Sequence, residues 1–563
     1  GARGAVVGTI ALGAGNDRAS LVGGDIRGVA GLDGGDGGND RLSFSALKVD
    51  ADALPIQGWE RVNLRDGATM SLGRRLGLGG GVLAIDAASR LLANAGASIG
   101  ASVENAGTIV TGANRLAISG GYTGHNGALH VAVSPGGSTS GGLDIAGGVV
   151  GTTAVTFVSD GSAAAQLPTS IQVISSPNDD PATDSSFVAA GASDGTLRLA
   201  GSMHPWTFGK EGNNWHLNSA LNVLLPEIAA YAALPSIAYV GIQDSNRLLF
   251  QRMAGIRGDT PRCGADETSP QRVYSTLTGE CNGFWMAATY SDMKMGADPG
   301  FGFSGQNRGL YAGVDQLLED HATRTWRGGV FVGFQNGDYW TSGANSTGLQ
   351  VPGKAKVSIN APTFGGYGSM TWRGGTYVDV TATGQMATKA KITTADGFEQ
   401  SIRGGSMNMN ARLGHRFKPG DGWTVEPQLQ LGVGWMVGDH LQDASGKQVT
   451  IEDSVLRTTR VAVRTEKVFD AAGGARIRPW VTLGLQDTLG EKRNSVYVGA
   501  AGSGAAAVGF ANHDLGRTAT LDIGVEAEVN KSVNVFAVGS YDRSVDGSRF
   551  EQRQANLGVR IKW

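Results

Sequence analysis

The groups in this chain that could perform chemistry include eight histidines, two cysteines and fifty aspartates and glutamates. They assemble no nucleophilic site: neither Gly-Asp-Ser-Gly nor a Gly-x-Ser-x-Gly elbow occurs, and the histidines are scattered. His125 and His130 are five positions apart, so in a strand they point to opposite faces and cannot share a metal. Cys263 and Cys281 lack the spacing of a zinc site. The short loop between them could close as a disulfide in an oxidising compartment, with a reduced pair as the plain alternative. Gly34-Gly35-Asp36-Gly37-Gly38-Asn39 approaches the calcium-binding nonapeptide Gly-Gly-x-Gly-x-Asp, but Asn39 stands at the acid position and no tandem array follows, so it reads as turn residues. Arg257-Gly258-Asp259 spells an adhesion tripeptide at the end of a helical stretch, where a helix-end turn explains it. Catalysis, metals and cofactors are therefore not expected.

What remains is the pairing of charges, and its signature is alternation. In Gln554-Ala-Asn-Leu-Gly-Val-Arg-Ile-Lys-Trp563, Leu557, Val559, Ile561 and Trp563 fall on one face of an extended chain, and Asn556, Gly558, Arg560 and Lys562 on the other. A soluble sandwich strand alternates in the same way, but two cations against its core would be costly, whereas a water-filled barrel lumen accepts them. From Trp423 to Trp435, Val425, Pro427, Leu429, Leu431 and Val433 alternate with Thr424, Glu426, Gln428 and Gln430. The two tryptophans bracket an apolar band about as long as the 9 to 11 residues that a tilted membrane strand needs. Asp522, Glu526 and Glu528 take inner positions on Thr518–Val529, as Arg460 and Arg464 do on their own strand, so both signs line one wall. Twelve strands are counted, from Phe284–Tyr290 to Gln554–Trp563, with tight connections such as Arg373–Gly375 alternating with long ones at 436–454 and 487–517. The C-terminal half reads as a transmembrane β-barrel.

These features resemble a known family. The terminal strand ending on an aromatic, the Trp423-x-x-Glu426-Pro427-Gln428 strand and Pro226-Glu-Ile-Ala-Ala-Tyr-Ala-Ala-Leu-Pro235 together look like the translocator of a monomeric bacterial autotransporter (type V secretion), preceded by the end of a pertactin-like passenger. The resemblance implies a twelve-stranded barrel in the outer membrane, a helix threaded through its pore, and a passenger carried by this route to the cell surface. It implies Leu557, Val559, Ile561 and Trp563 as an assembly signal. The implied partners are outer-membrane lipid, the β-barrel assembly machinery, periplasmic chaperones and, for an adhesin-like passenger, host surface or matrix ligands. Some members release their passenger when an Asn attacks its own backbone, typically at an Asn-Asn pair. Here Asn246 is followed by Arg247, and a passenger that stays attached or is cut by another protease is expected.

The elements that must position these charges follow. Within 221–258, Pro226 and Pro235 suit first helical turns, and Ser236–Arg257 spans about 30 Å as a helix. Gln243, Asp244, Ser245, Asn246, Arg247, Gln251 and Arg252 fit a polar lumen better than lipid, the bland alternative being an amphipathic helix that caps a soluble domain. Arg247 and Arg252 are expected to pair with the carboxylates of the strands holding Glu426, Asp522 and Glu526. Upstream, Gly15-Asn-Asp-Arg18 recurs as Gly38-Asn-Asp-Arg41, an offset of 23 residues that signals stacked rungs, and short turn-bounded strands continue to Val158.

The fold expected is all-β: a right-handed parallel β-helix over 1–120, a passenger cap with an autochaperone role over 121–220, a helical linker over 221–258 and the barrel over 259–563. The 89 glycines follow no collagen period, and a net charge of -3 gives no basic footprint for nucleic acid. Gly1-Ala-Arg-Gly carries no initiator Met or signal region, which suggests a mature or truncated chain. A secretion device with a non-enzymatic passenger is the leading reading. A general outer-membrane pore and the translocator of an enzyme lying upstream of Gly1 are its rivals.

Overall fold

The computed structural model describes all residues except 1–5, 137–138, 161–168, 179–184, 193–194, 221, 259–281, 297–300, 345–347, 471–475, 491–493, 501–506, 512–514, 531, 548 and 563. Cys263, Cys281, Asp259 and Trp563 thus lie outside the described residues. The chain forms two compact units, one built on Gly1–Val223, the other on Leu224–Ala444, Gln448–Val498 and Ala507–Trp563.

The second unit is a closed barrel of twelve antiparallel strands: Gly283–Met295, Phe303–Asp320, Arg324–Ala344, Gln350–Trp372, Thr376–Thr394, Glu399–His415, Trp423–Val437, Ser454–Lys467, Arg476–Gly490, Gly516–Glu528, Val533–Ser544 and Glu551–Lys562. Each pairs with the next, and the ring closes where Gly283 meets Lys562 and Lys294 meets Glu551. Closure is required because an open edge in lipid leaves its amides and carbonyls unpaired. Alternation sets the two faces: Leu557 is 61% exposed and Ile561 44%, while Asn556 and Arg560 are buried inside. Trp423, Leu429, Leu431 and Trp435 face outward, and Glu426, Gln428 and Gln430 inward. The strands outrun the sequence reading, reaching 23 residues in Gln350–Trp372. Pairing continues past the membrane on the side of the long connections, where alternation no longer carries a lipid signal.

A helix, Pro226–Gly258, runs through the lumen and lies against the strands Arg324–Ala344, Gln350–Trp372 and Thr376–Thr394. Its 33 residues span about 50 Å at 1.5 Å each. It starts at Pro226, one of the two prolines suited to a first turn, with Glu227 in that turn, and runs on through Pro235 as one helix. An internal proline removes an N–H donor. Burial of Ala229, Ala230, Ala232, Ala233 and Ile237 outweighs that loss, since tertiary packing rather than propensity decides most helices.

The first unit stacks its strands in parallel. Arg18 is in register with Arg41, Arg41 with Arg61, Arg61 with Val82, Leu83 with Val103, Val103 with Tyr122, and Tyr122 with Val149. The 23-residue repeat is therefore one rung. A second ladder joins Lys48, Thr69, Arg90, Thr108, Ala128 and Ala154, and a third joins Leu76, Ile99, Ile118 and Ile145. The three ladders make a three-faced parallel β-helix around fully buried Leu42, Val62, Leu83, Leu91, Ile109 and Leu129. They cross residue 121 without a break, so the limit drawn there from motifs is not a structural one. The change comes where Thr169–Ser175 pairs antiparallel with Asn214–Ser219, itself in a hairpin with Trp206–Glu211. Fully buried Trp206 and Trp215 join the β-helix core from this hairpin, and Trp215 meets Phe187 edge-on at 5.0 Å. A solenoid needs such a cover, because its last rung otherwise exposes its core and an unpaired edge.

Close to the hairpin in sequence, His204 is buried with Nδ1 2.7 Å from the Val223 carbonyl. Burial holds the imidazole below its ordinary range, outweighing the carbonyl, which favours the charged form. The unfolded chain takes up this proton at about pH 6.5, so the contribution is complete above that pH and is lost as pH falls through it. The melting temperature of the β-helix should fall between about pH 7 and about pH 5, and His204→Gln should flatten that slope. Equal slopes in parent and variant would refute the assignment.

Candidate functional site in the barrel lumen

The helix carries its polar side chains into a wall lined with both signs. Asp244 accepts hydrogen bonds from Ser291 Oγ at 2.7 Å, Asn307 Nδ2 at 3.1 Å and Gln552 Nε2 at 2.6 Å, so three strands hold it. Asn246 Nδ2 donates to Asn408 Oδ1 at 2.8 Å, and its Oδ1 accepts from Thr381 at 3.4 Å and Thr383 at 3.3 Å. Three arginines follow at intervals of five. Arg247 pairs with Asp542 and lies 3.8 Å from Asp522, Arg252 pairs with Asp315, and Arg257 pairs with Asp379. Five residues turn a helix by about 500°, which leaves successive side chains about 140° apart and sends them to different parts of the wall.

Each of these walls also answers its own acid. Arg560 lies 3.6 Å from Asp315, Arg412 2.7 Å from Asp379 and Arg460 3.1 Å from Asp522. Wall arginines serve the helix terminus as well: Arg478 donates to the Gly255 carbonyl at 3.3 Å and Arg416 to that of Arg257 at 3.2 Å. The last carbonyls of a helix have no intrahelical donor and form the negative end of its dipole, so cations belong there. Near the other end, Tyr231 Oη donates to Asp443 at 3.0 Å and the Leu224 amide to the Gln350 carbonyl at 2.8 Å. Between the helix and one part of the wall lies a small cavity of about 50 Å³ lined by Gln243, Arg247, Gln430, Arg460, Gln486 and Asp522.

The expected pairing needs correction. Arg247 does approach Asp522, but its closer partner is Asp542, and Arg252 reaches Asp315 rather than Glu426 or Glu526. The turn between the two arginines points them at different strands. Glu426 instead pairs with Arg416 at 2.8 Å and accepts from Tyr377 at 3.1 Å, while Glu526 pairs with Arg478 at 2.9 Å. Arg464 pairs with Glu466 at 3.2 Å. Asp315, Asp379, Asp542, Arg412, Arg416 and Arg478 escaped the sequence reading. The inward alternation of their strands was the signal that could have found them. Outward along the closing strand, Leu557 and Ile561 are exposed and Val559 is half-buried.

Residues 284–542, the greater part of the barrel unit, match a family model described as Autotransporter beta-domain. These residues form an autotransporter β-domain. Among curated relatives, the Pertactin autotransporter of Bordetella parapertussis is 23% identical over 293 residues, covering 51% of this chain and 29% of that one. The Adhesin BmaC autotransporter of Brucella suis is 24% identical over 399 residues, 64% of this chain and 11% of that one. The chain spans less than a third of the length of these two relatives. The β-domain of the Bordetella autotransporter BrkA, in its crystal structure, is 18% identical, covers 50% of this chain and 99% of its own, and has a TM-score of 0.39. The autotransporter barrel places this unit in the bacterial outer membrane, with lipid around its outward face.

Asp315→Asn should destabilise the occupied barrel by about 3–5 kcal/mol, because it leaves Arg252 and Arg560 buried without that carboxylate. Arg252→Met should cost less, since Asp315 keeps Arg560. Urea unfolding in detergent micelles measures both, and a larger loss in Arg252→Met would overturn the shared-acid arrangement.

Proposed function

We propose that the chain exports and displays its own β-helical segment at the cell surface, the barrel being the route and the lumen helix the tether left after export. The observation that carries this reading is the polar helix: it follows the β-helix directly in sequence and begins at the barrel end that bears the long connections. The long connections of an outer-membrane barrel face outward and the tight turns face the periplasm, so a segment preceding Pro226 belongs outside. The displayed segment acts by binding rather than catalysis, as an adhesin-like surface domain. Three stacked faces with the names pertactin and adhesin among the relatives support this. Assembly proceeds through periplasmic chaperones and the β-barrel assembly machinery, which reads the closing strand with Leu557, Val559 and Ile561 on its outer side. The hairpin Trp206–Ser219 is the folded end on which exported rungs stack, the autochaperone role. The passenger remains attached at Asn246, whose amide is held by Asn408, Thr381 and Thr383.

Planar-bilayer recordings separate this function from that of a general pore. The parent should conduct little, and deletion of 226–258 should raise single-channel conductance several-fold. An intact chain that conducts as freely as the deletion would identify a general diffusion pore. Deletion of 206–219 should leave the barrel inserted and make the surface-exposed β-helix protease-sensitive, and an unchanged protease pattern would refute the templating role.

A further inference from the structure

One corner of the β-helix carries an acid on three successive rungs. Asp17, Asp40 and Glu60 immediately precede Arg18, Arg41 and Arg61, which pair in register, so the acids form a column. The column is linked through the backbone: the Asp17 amide donates to Asp40 Oδ1 at 2.5 Å and the Asp40 amide to Glu60 Oε2 at 2.7 Å. Each side chain thus reaches toward the preceding rung, which brings the Asp40 carboxylate beside Asp17. Asp40 is fully buried, yet its Oδ2 has no hydrogen-bond partner, and Asp17 Oδ2 is likewise enclosed without one. Among the described residues no cation pairs with any of the three acids; Arg61 turns instead to Asn63 and Glu104.

Enclosed carboxylate oxygens without donors are costly, and a metal ion between two of them removes both costs together. The spacing suits one. Rungs stack about 4.8 Å apart, about twice the 2.3–2.6 Å calcium–oxygen distance. The glycine turn adds a backbone ligand. The Gly15 carbonyl oxygen lies 1.8 Å and Asp40 Oδ2 2.9 Å from the point where a Cβ on Gly37 would stand, so the carbonyl takes the room that a side chain would need and stands close to the Asp40 carboxylate. Among the described residues no group of three or more His, Cys, Asp or Glu side chains is poised around one point. A donor set of two carboxylates and carbonyl oxygen, completed by water, fits calcium rather than zinc.

We propose that Asp17 and Asp40, with the Gly15 carbonyl, bind a calcium ion that ties the first two described rungs together. The nonapeptide pattern missed it because the acid is Asp40, one place beyond Asn39.

Trp59 reports on the site, being fully buried next to Glu60 with its ring against Gly34. The full chain in detergent micelles is titrated with terbium(III) while tryptophan is excited. The expected result is saturable sensitised emission that calcium displaces and equimolar magnesium does not. Asp40→Asn, which keeps an acceptor for the Asp17 amide, should weaken terbium binding at least tenfold, and Asp17→Asn should do the same. Asp36→Asn, exposed in the same turn, should leave it unchanged. Circular dichroism verifies the fold of each variant, and if Asp40→Asn fails to fold, Asp17→Asn alone decides. Absence of saturable emission, equal displacement by magnesium, or emission that the folded variants leave unaltered would each overturn the site.

Discussion

A charge inside a membrane barrel has only the lumen to solvate it. The strand that carries it faces lipid on its other side, so its partner must come from the wall, from whatever fills the pore, or from water. Asp315, Asp379 and Asp522 meet this constraint twice, once through a wall arginine and once through an arginine of the helix. Such buried pairs give specificity more than net stability, because desolvation offsets much of their attraction. Asp542 takes its arginine, Arg247, from the helix, whereas the wall answers these three acids without it. That property suits a lumen whose contents change as a chain passes through.

The two units solve one backbone problem in opposite ways. In lipid, the barrel disposes of its edges by joining its first strand to its last. The β-helix grows rung upon rung and cannot close, so it ends under an antiparallel hairpin whose two tryptophans complete the core. Burial there extends to His204, and the cap thereby acquires a titratable group at a position where protonation opposes folding.

Alternation made the barrel legible in the sequence: all twelve strands were visible because inside and outside differ at every step between Trp423 and Trp435 or between Asn556 and Ile561. The 23-residue echo of Gly-Asn-Asp-Arg likewise announced the rungs, and register Arg18 to Arg41 is its physical meaning. What stayed hidden depends on three-dimensional phase. Which acid meets Arg252 is decided by helix rotation and strand position together, and neither is written in local pattern. The continuity of the helix was obscured by Pro235, whose cost in an isolated helix is overridden by burial. Asp40 was hidden for a similar reason, since its enclosure arises only when the neighbouring rung is stacked on it.

The five-residue interval between the helix arginines also has a mechanical meaning. Bringing one arginine to the place of the next requires about 7.5 Å of travel together with about 140° of rotation. A slide without that rotation carries none of the three to the place of the next. The helix is therefore keyed to one depth and one orientation, and its seating is a step rather than a slope.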